Sequence, residues 1–270
     1  MTILDHEFVD VPTPSGAMRT HIFRPTAPGK YPGLTLFSEI FQATGPIRRT
    51  AALLAGHGFI VAVPEIFHEF EPAGTVIGYD SAGADRGNWC KVNKPLAAFD
   101  DDQTALRNWL KTHPVCTGKL GSMGICIGGH LSFRNAMSPD ILAAVCFYAT
   151  DIHKLESHVR GLGVGMADDS LERARRGDIK AELLMIWGRQ DPHVPFEGRQ
   201  QIRVALEEGG AWYQGLEVNG AHAFLRDEGP RYNPVLAQQC YGLALELFKR
   251  KLGDGDLAVA AGAGAGETKH

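Results

Sequence analysis

The stretch Gly124-Ile125-Cys126-Ile127-Gly128 places a cysteine midway between two glycines. A thiolate attacks carbonyl carbon well, and small residues two positions to either side are what a sharp strand-to-helix turn needs if backbone and side chains are not to collide. At a helix start the cost of a thiolate falls, and the next backbone N–H, that of Ile127, points where an oxyanion would form. The five-residue pattern alone is weak, because a buried cysteine in a glycine-rich turn is spelled the same way. Ser122 is a poorer nucleophile candidate, since position 120 is Leu and not the glycine a serine turn of this kind would show.

A thiolate nucleophile needs a base, and the base needs an orienting carboxylate. On a sheet of this kind they follow in the order nucleophile, acid, His. Two later loops supply them. "GRQDPHVP" places Asp191 just after an apolar run ending at Trp187-Gly188, and "NGAHAFLR" places His222 just after "WYQGLEV". Taken singly, Asp191 is a turn cap before Pro192 and His222 an ordinary loop histidine; it is their order and their positions at strand ends that point to acyl transfer. His193 shares the acid turn and is expected to face solvent or line the substrate. Glu39 ends the apolar run "GLTLFSE". A partly desolvated carboxylate there could exchange a proton with a nearby thiol, or it could cap the strand or pair with Arg48 or Arg49.

The elements that must position these groups are legible as short, continuous apolar runs alternating with helical patterns, the mark of a mostly parallel sheet buried on both faces. Gly33 to Glu39, Gly58 to Glu65, Lys119 to Ile125, Leu142 to Ala149 and Glu182 to Gly188 read as buried strands. "HEFVDVP" and "MRTHIFRP" alternate, which predicts an antiparallel edge hairpin turning near Ser15-Gly16. Helices are predicted over Pro46 to Ala55, over Ala98 to Leu110 with Asp100 to Asp102 in its first turn, over Ile127 to Met137, and from Asn233-Pro234 to Gly253. The expected organisation is one α/β domain over 1–253 with helices on both faces of the sheet. The Gly/Ala-rich stretch 254–270 has no core pattern and is expected to be mobile.

Composition narrows the function. The 270 residues are 44% hydrophobic and 21% charged with a formal net charge of -4, so a buried core is affordable and no basic field exists to hold nucleic acid or an anionic membrane. The N-terminus lacks a basic start followed by an apolar stretch, and no run is long enough to span a bilayer. Cys90, Cys116, Cys126, Cys146 and Cys240 are scattered, without a metal-ligand spacing, which suits a reducing, cytoplasmic setting.

With "SEIF", "GICIGG", "GRQDPHVP" and "HAFLR" in this order, the chain from about Gly33 to Arg226 resembles the dienelactone hydrolases of the α/β-hydrolase fold. The resemblance implies a cofactor-independent, metal-free carboxylic-ester hydrolase that opens a small lactone or enol ester. It implies a Cys126, Asp191 and His222 triad, thiol activation involving Glu39, oxyanion donors at the Ile40 and Ile127 backbone N–H groups, and a substrate carboxylate bound by Arg226. That family also uses an arginine and a tyrosine ahead of the nucleophile. The corresponding stretch here holds Tyr79 and Arg86 without a clear alignment, and Trp89, Phe67 and Phe70 are candidates for a pocket wall or for packing. Two alternatives stay open: the same triad acting on a thioester, amide or other ester, and a hydrolase-fold protein that binds a ligand or senses oxidant through its cysteine without turnover. The oligomeric state is not legible.

Overall fold

The computed structural model describes residues 1–153, 161–163, 169–253 and 256–257. Strands β1 (Ile3–Thr13) and β2 (Gly16–Pro25) form the expected antiparallel hairpin, with Thr13 opposite Gly16. The chain continues through β3 (Gly29–Phe37), α1 (Gly45–Gly56), β4 (Ile60–Pro64), α2 (Ser81–Asn93), α3 (Leu96–Thr112), β5 (Cys116–Ile125) and α4 (Ile127–Asn135). It then runs through β6 (Ile141–Phe147), α5 (Ser170–Arg175), β7 (Glu182–Gly188), α6 (Phe196–Glu208), β8 (Tyr213–Val218), α7 (Pro234–Leu252) and β9 (Asp256–Leu257).

The strands lie in the order β1-β2-β4-β3-β5-β6-β7-β8, parallel from β4 onward. From β3 the chain moves outward to β4 and then returns to lay β5 on the other side of β3. In an open parallel sheet a ligand crevice forms above the carboxyl ends of strands at such a reversal, because their connections leave in opposite directions. Glu39 follows β3 and Cys126 follows β5, so this reversal brings together two residues 87 positions apart in "SEIF" and "GICIGG".

Alternation along each buried strand feeds two cores. On β7, Leu183, Met185 and Trp187 join one core with Leu106, Leu110 and Ile202, from α3 and α6. Leu184 and Ile186 join the other with Ile47, Leu54, Ala244 and Phe248, from α1 and α7. Each such side chain, fully buried, contributes about 1.5–3 kcal/mol, which is how strands with nothing but apolar residues stay in register between two helical layers.

Pro46 opens α1 as expected. Asn233 caps α7 by accepting from the Leu236 N–H at 3.1 Å, and Gly253 closes that helix at φ +79. One expectation is corrected. Helix α3 begins at Leu96 after Pro95, so Asp100 to Asp102 lie beyond its first turn, and two of them serve ion pairs instead: Asp100 with Arg134, Asp102 with Lys94. Helix α2 was not anticipated, because its apolar residues do not recur on one face. Gly87 explains why: a Cβ there would lie 2.4 Å from the Ile40 carbonyl, so the helix packs on the loop after β3 through glycine. Of the stretch 254–270, Asp256–Leu257 pairs antiparallel with Gly29 and Lys30 of β3, and the remainder lies outside the described residues.

Candidate active site

Cys126 sits between β5 and α4 with φ 62 and ψ -120, a conformation that side chains rarely adopt. The turn is held from outside. The Cys126 N–H donates to the Phe147 carbonyl at 3.0 Å, and the Cys126 carbonyl accepts from Thr150 at 3.2 Å and Gly129 at 3.0 Å. The flanking glycines are obligatory by contact. A Cβ on Gly124 would lie 1.7 Å from the Gly128 carbonyl oxygen, and one on Gly128 would lie 2.2 Å from that of Phe37. The second contact presses the elbow onto the end of β3, which sets the loop carrying Ile40 beside it. Ile127 is the first residue of α4, so its N–H has no acceptor within the helix.

Asp191 and His222 come together from the loops after β7 and β8. These loops are tied by backbone bonds from Arg189 to Val218 (2.8 Å) and from Gln190 to Gly220 (3.1 Å). His222 Nδ1 and Asp191 Oδ2 are 2.7 Å apart, and the other Asp191 oxygen accepts the His193 backbone N–H at 2.8 Å. Both residues are buried. Burial opposes the imidazolium, but the charge that Cys126 carries when ionised, the hydrogen bonds His222 donates to Asp191 and Cys126, and the charge of Asp191 outweigh it, and His222 is pushed up to about 10. His193 is exposed, with its ring edge-on to His222 at 4.5 Å.

Glu39 pairs neither with Arg48 nor with Arg49. It is 2% exposed and accepts from Arg226 at two points, Nη2 to Oε1 at 2.9 Å and Nε to Oε2 at 3.1 Å. The same guanidinium lies 4.2 Å from the centre of the Tyr79 ring and 5.1 Å from that of Phe41. A cavity of about 650 Å³ opens over the elbow, lined by Ile40, Cys126, His193, His222, Arg226 and by α2 residues including Trp89 and Lys91. Tyr79 and Trp89 therefore line it. Phe67 is fully buried in the core, Phe70 packs against that core and edge-on to Trp89, and Arg86 pairs with Glu71. Sequence reasoning missed Lys91 and Asp151, a buried ion pair (2.7 Å) in the cavity wall, and Tyr148, whose ring meets His222 edge-on at 4.9 Å. The positive φ of Asp151 and Tyr148 left no trace in their residue types.

Two clusters among the described residues have ligand atoms close enough for a metal: Asp191, His193 and His222, and His68, Glu69 and Asp102. In the second, the Lys94 ammonium bonds Glu69 and Asp102 and supplies the cation itself. In the first, both Asp191 oxygens are already engaged by His222 and by backbone. No helix among the described residues is long and apolar enough to cross a membrane.

The sequence profile described as the dienelactone hydrolase family matches residues 18–252. A Saccharomyces cerevisiae relative assigned to the carboxymethylenebutenolidases is 39% identical over 260 residues, covering 93% of each chain. The carboxymethylenebutenolidase of Pseudomonas sp. strain P51 is 27% identical over 245 residues, 87% of this chain and 91% of that one. A crystal structure from Klebsiella pneumoniae, assigned to the dienelactone hydrolases, superposes with a TM-score of 0.77 at 22% identity, covering 93% of this chain and all of that one; this speaks to the fold.

Proposed function

The chain belongs to the dienelactone hydrolase family, and on that premise we propose that it hydrolyses the ester bond of a small lactone or enol ester through a Cys126 acyl-enzyme. The observation that carries this is the His222–Asp191 pair, 2.7 Å apart, set behind a strained cysteine at the floor of a cavity that Arg226 also faces. Relatives named for carboxymethylenebutenolidase activity support the substrate class.

In this mechanism a substrate carboxylate draws the Arg226 guanidinium. Glu39, buried and deprived of its partner, becomes the group that gains most from a proton, and it takes the Cys126 S–H proton. The thiolate attacks the carbonyl carbon while the Ile40 and Ile127 N–H groups receive the oxyanion. The C–O bond breaks, the His222 imidazolium gives its proton to the leaving oxygen, and a thioester remains. Neutral His222, held in orientation by Asp191, then takes a proton from water, whose oxygen attacks the thioester and releases the acid. Glu39 returns its proton to sulfur as product leaves. No step draws on a metal or cofactor, and the five free cysteines suit the reducing, cytoplasmic setting expected above.

The test is ultraviolet-monitored hydrolysis of unsaturated lactones and aryl esters, with intact mass of the protein after rapid acid quench. Turnover with a transient adduct on wild type, and neither on Cys126→Ala, supports the proposal. Turnover surviving in Cys126→Ala rejects it.

A further inference from the structure

Tyr148 is completely buried, and its phenolic oxygen has no hydrogen-bond partner among the described residues. An orphaned buried hydroxyl is destabilising, and this one is held in place at further cost. Tyr148 carries φ 34, unfavourable for a bulky residue, while its N–H is anchored on the Ile186 carbonyl at 2.7 Å. Its ring is clamped edge-on between His222 (4.9 Å) and Phe224 (5.3 Å). A tyrosine fixed this firmly with nothing to bond is arranged for a partner that arrives in another state of the site.

The surroundings name that partner. Tyr148 and Glu39 front the same small pocket behind Arg226, about 10 Å³, together with Thr50. That is room for about one water. Among the described residues Glu39 lines this pocket and not the substrate cavity, while Arg226 lines both. Arg226 is thus the wall between them, and when it turns toward a substrate carboxylate, Glu39 is left facing the pocket. The charge of Glu39 is also the strongest charge acting on Tyr148, whose phenol burial holds well above its ordinary value, so the group is a donor and not an anion.

Resting on the reading of Arg226 and Glu39 given above, we infer that the Tyr148 hydroxyl is a positioning group that receives Glu39 once Arg226 is drawn away. It donates a hydrogen bond to the freed carboxylate, directly or through one water, and holds it aimed at the thiol until it accepts the proton. The device works only for substrates that carry a carboxylate. A neutral ester leaves Arg226 on Glu39 and gives Tyr148 nothing to hold.

The experiment compares wild type and Tyr148→Phe on one unsaturated five-membered lactone, offered as its free carboxylic acid and as the methyl ester of that acid. Tyr148→Phe keeps the ring contacts and removes one hydrogen bond to a charged group, so kcat on the acid should fall about tenfold with KM within about twofold. On the methyl ester both constants should stay within about twofold, and the melting temperature should hold or rise, since the hydroxyl lost was unpaired. Equal loss on acid and ester, or no loss on either, overturns the inference while leaving the Arg226 reading intact. A wild type that does not prefer the acid to its ester overturns the Arg226 reading, and this inference with it.

Discussion

Arg226 and Glu39 form a two-point ion pair, at 2.9 and 3.1 Å, in which the arginine faces the large cavity over Cys126 and the glutamate lies behind it. Under the proposed mechanism this cation exchanges one carboxylate for another, and so would couple substrate binding to proton transfer from the Cys126 thiol.

Glu39 is buried and Arg226 partly so, and removing one member should cost more than removing both. Arg226→Met strands the Glu39 carboxylate and should lower stability by about 3–5 kcal/mol. Glu39→Gln/Arg226→Met should recover a large part of that in urea denaturation. Both variants should lose preference for carboxylate-bearing lactones.

The elbow stores strain at Cys126. Cys126→Gly relieves it and Cys126→Ala does not, so the glycine variant should be the more stable of two inactive proteins, by about 1 kcal/mol. Paired thermal melts decide this, and equal melting temperatures would contradict the strain.

Gly124→Ala and Gly128→Ala place a methyl within 1.7 and 2.2 Å of a backbone oxygen, where no side chain can yield. Each should cost about 4 kcal/mol or more, near the total stability of many domains. Gly74→Ala, where nothing lies within 4 Å, is a useful contrast; its cost comes only from φ +88 and should stay near 1 kcal/mol. Soluble yield and urea midpoint report the difference.

His222 should titrate near pH 10 and not near its ordinary 6.5. Because the folded value is raised, its contribution to stability is complete below about 6.5 and is lost as pH rises toward 10. Removing the sulfur removes the first of the causes that raise it, so the midpoint should fall in Cys126→Ala. Histidine ring proton shifts followed by NMR across this range would show both, and an unshifted midpoint in wild type would count against an imidazolium held by Cys126 and Asp191.

Lys94 occupies the centre of the His68, Glu69 and Asp102 cluster. Lys94→Met should therefore destabilise by about 3–5 kcal/mol, by leaving the buried Asp102 and the partly buried Glu69 without the ammonium between them. Wild type should keep its melting temperature in a chelator; a fall would mean that the cluster holds a metal.

Sequence alone determined the parts whose physics is local. The apolar runs specified buried strands, and the glycines around Cys126 specified a turn that no other residue fits. Pro46 and Asn233-Pro234 marked helix starts because their preferences act within one turn of chain. Cys126, Asp191, His222 and Arg226 were legible because each stands at a fixed offset from a strand end. The boundaries of α3 and the existence of α2 were not, since a glycine-rich helix is justified by what it packs against, here the Ile40 carbonyl. Likewise, only tertiary structure decided that Glu39 pairs with Arg226 rather than with Arg48 or Arg49, 9 and 10 positions away. Ion pairs are chosen by distance in space, and here the loop after β3 meets the loop after β8 at the carboxyl end of the sheet. Tyr148 shows the same limit most plainly, because neither its backbone strain nor its unpaired hydroxyl can be read from a tyrosine at the end of an ordinary buried strand.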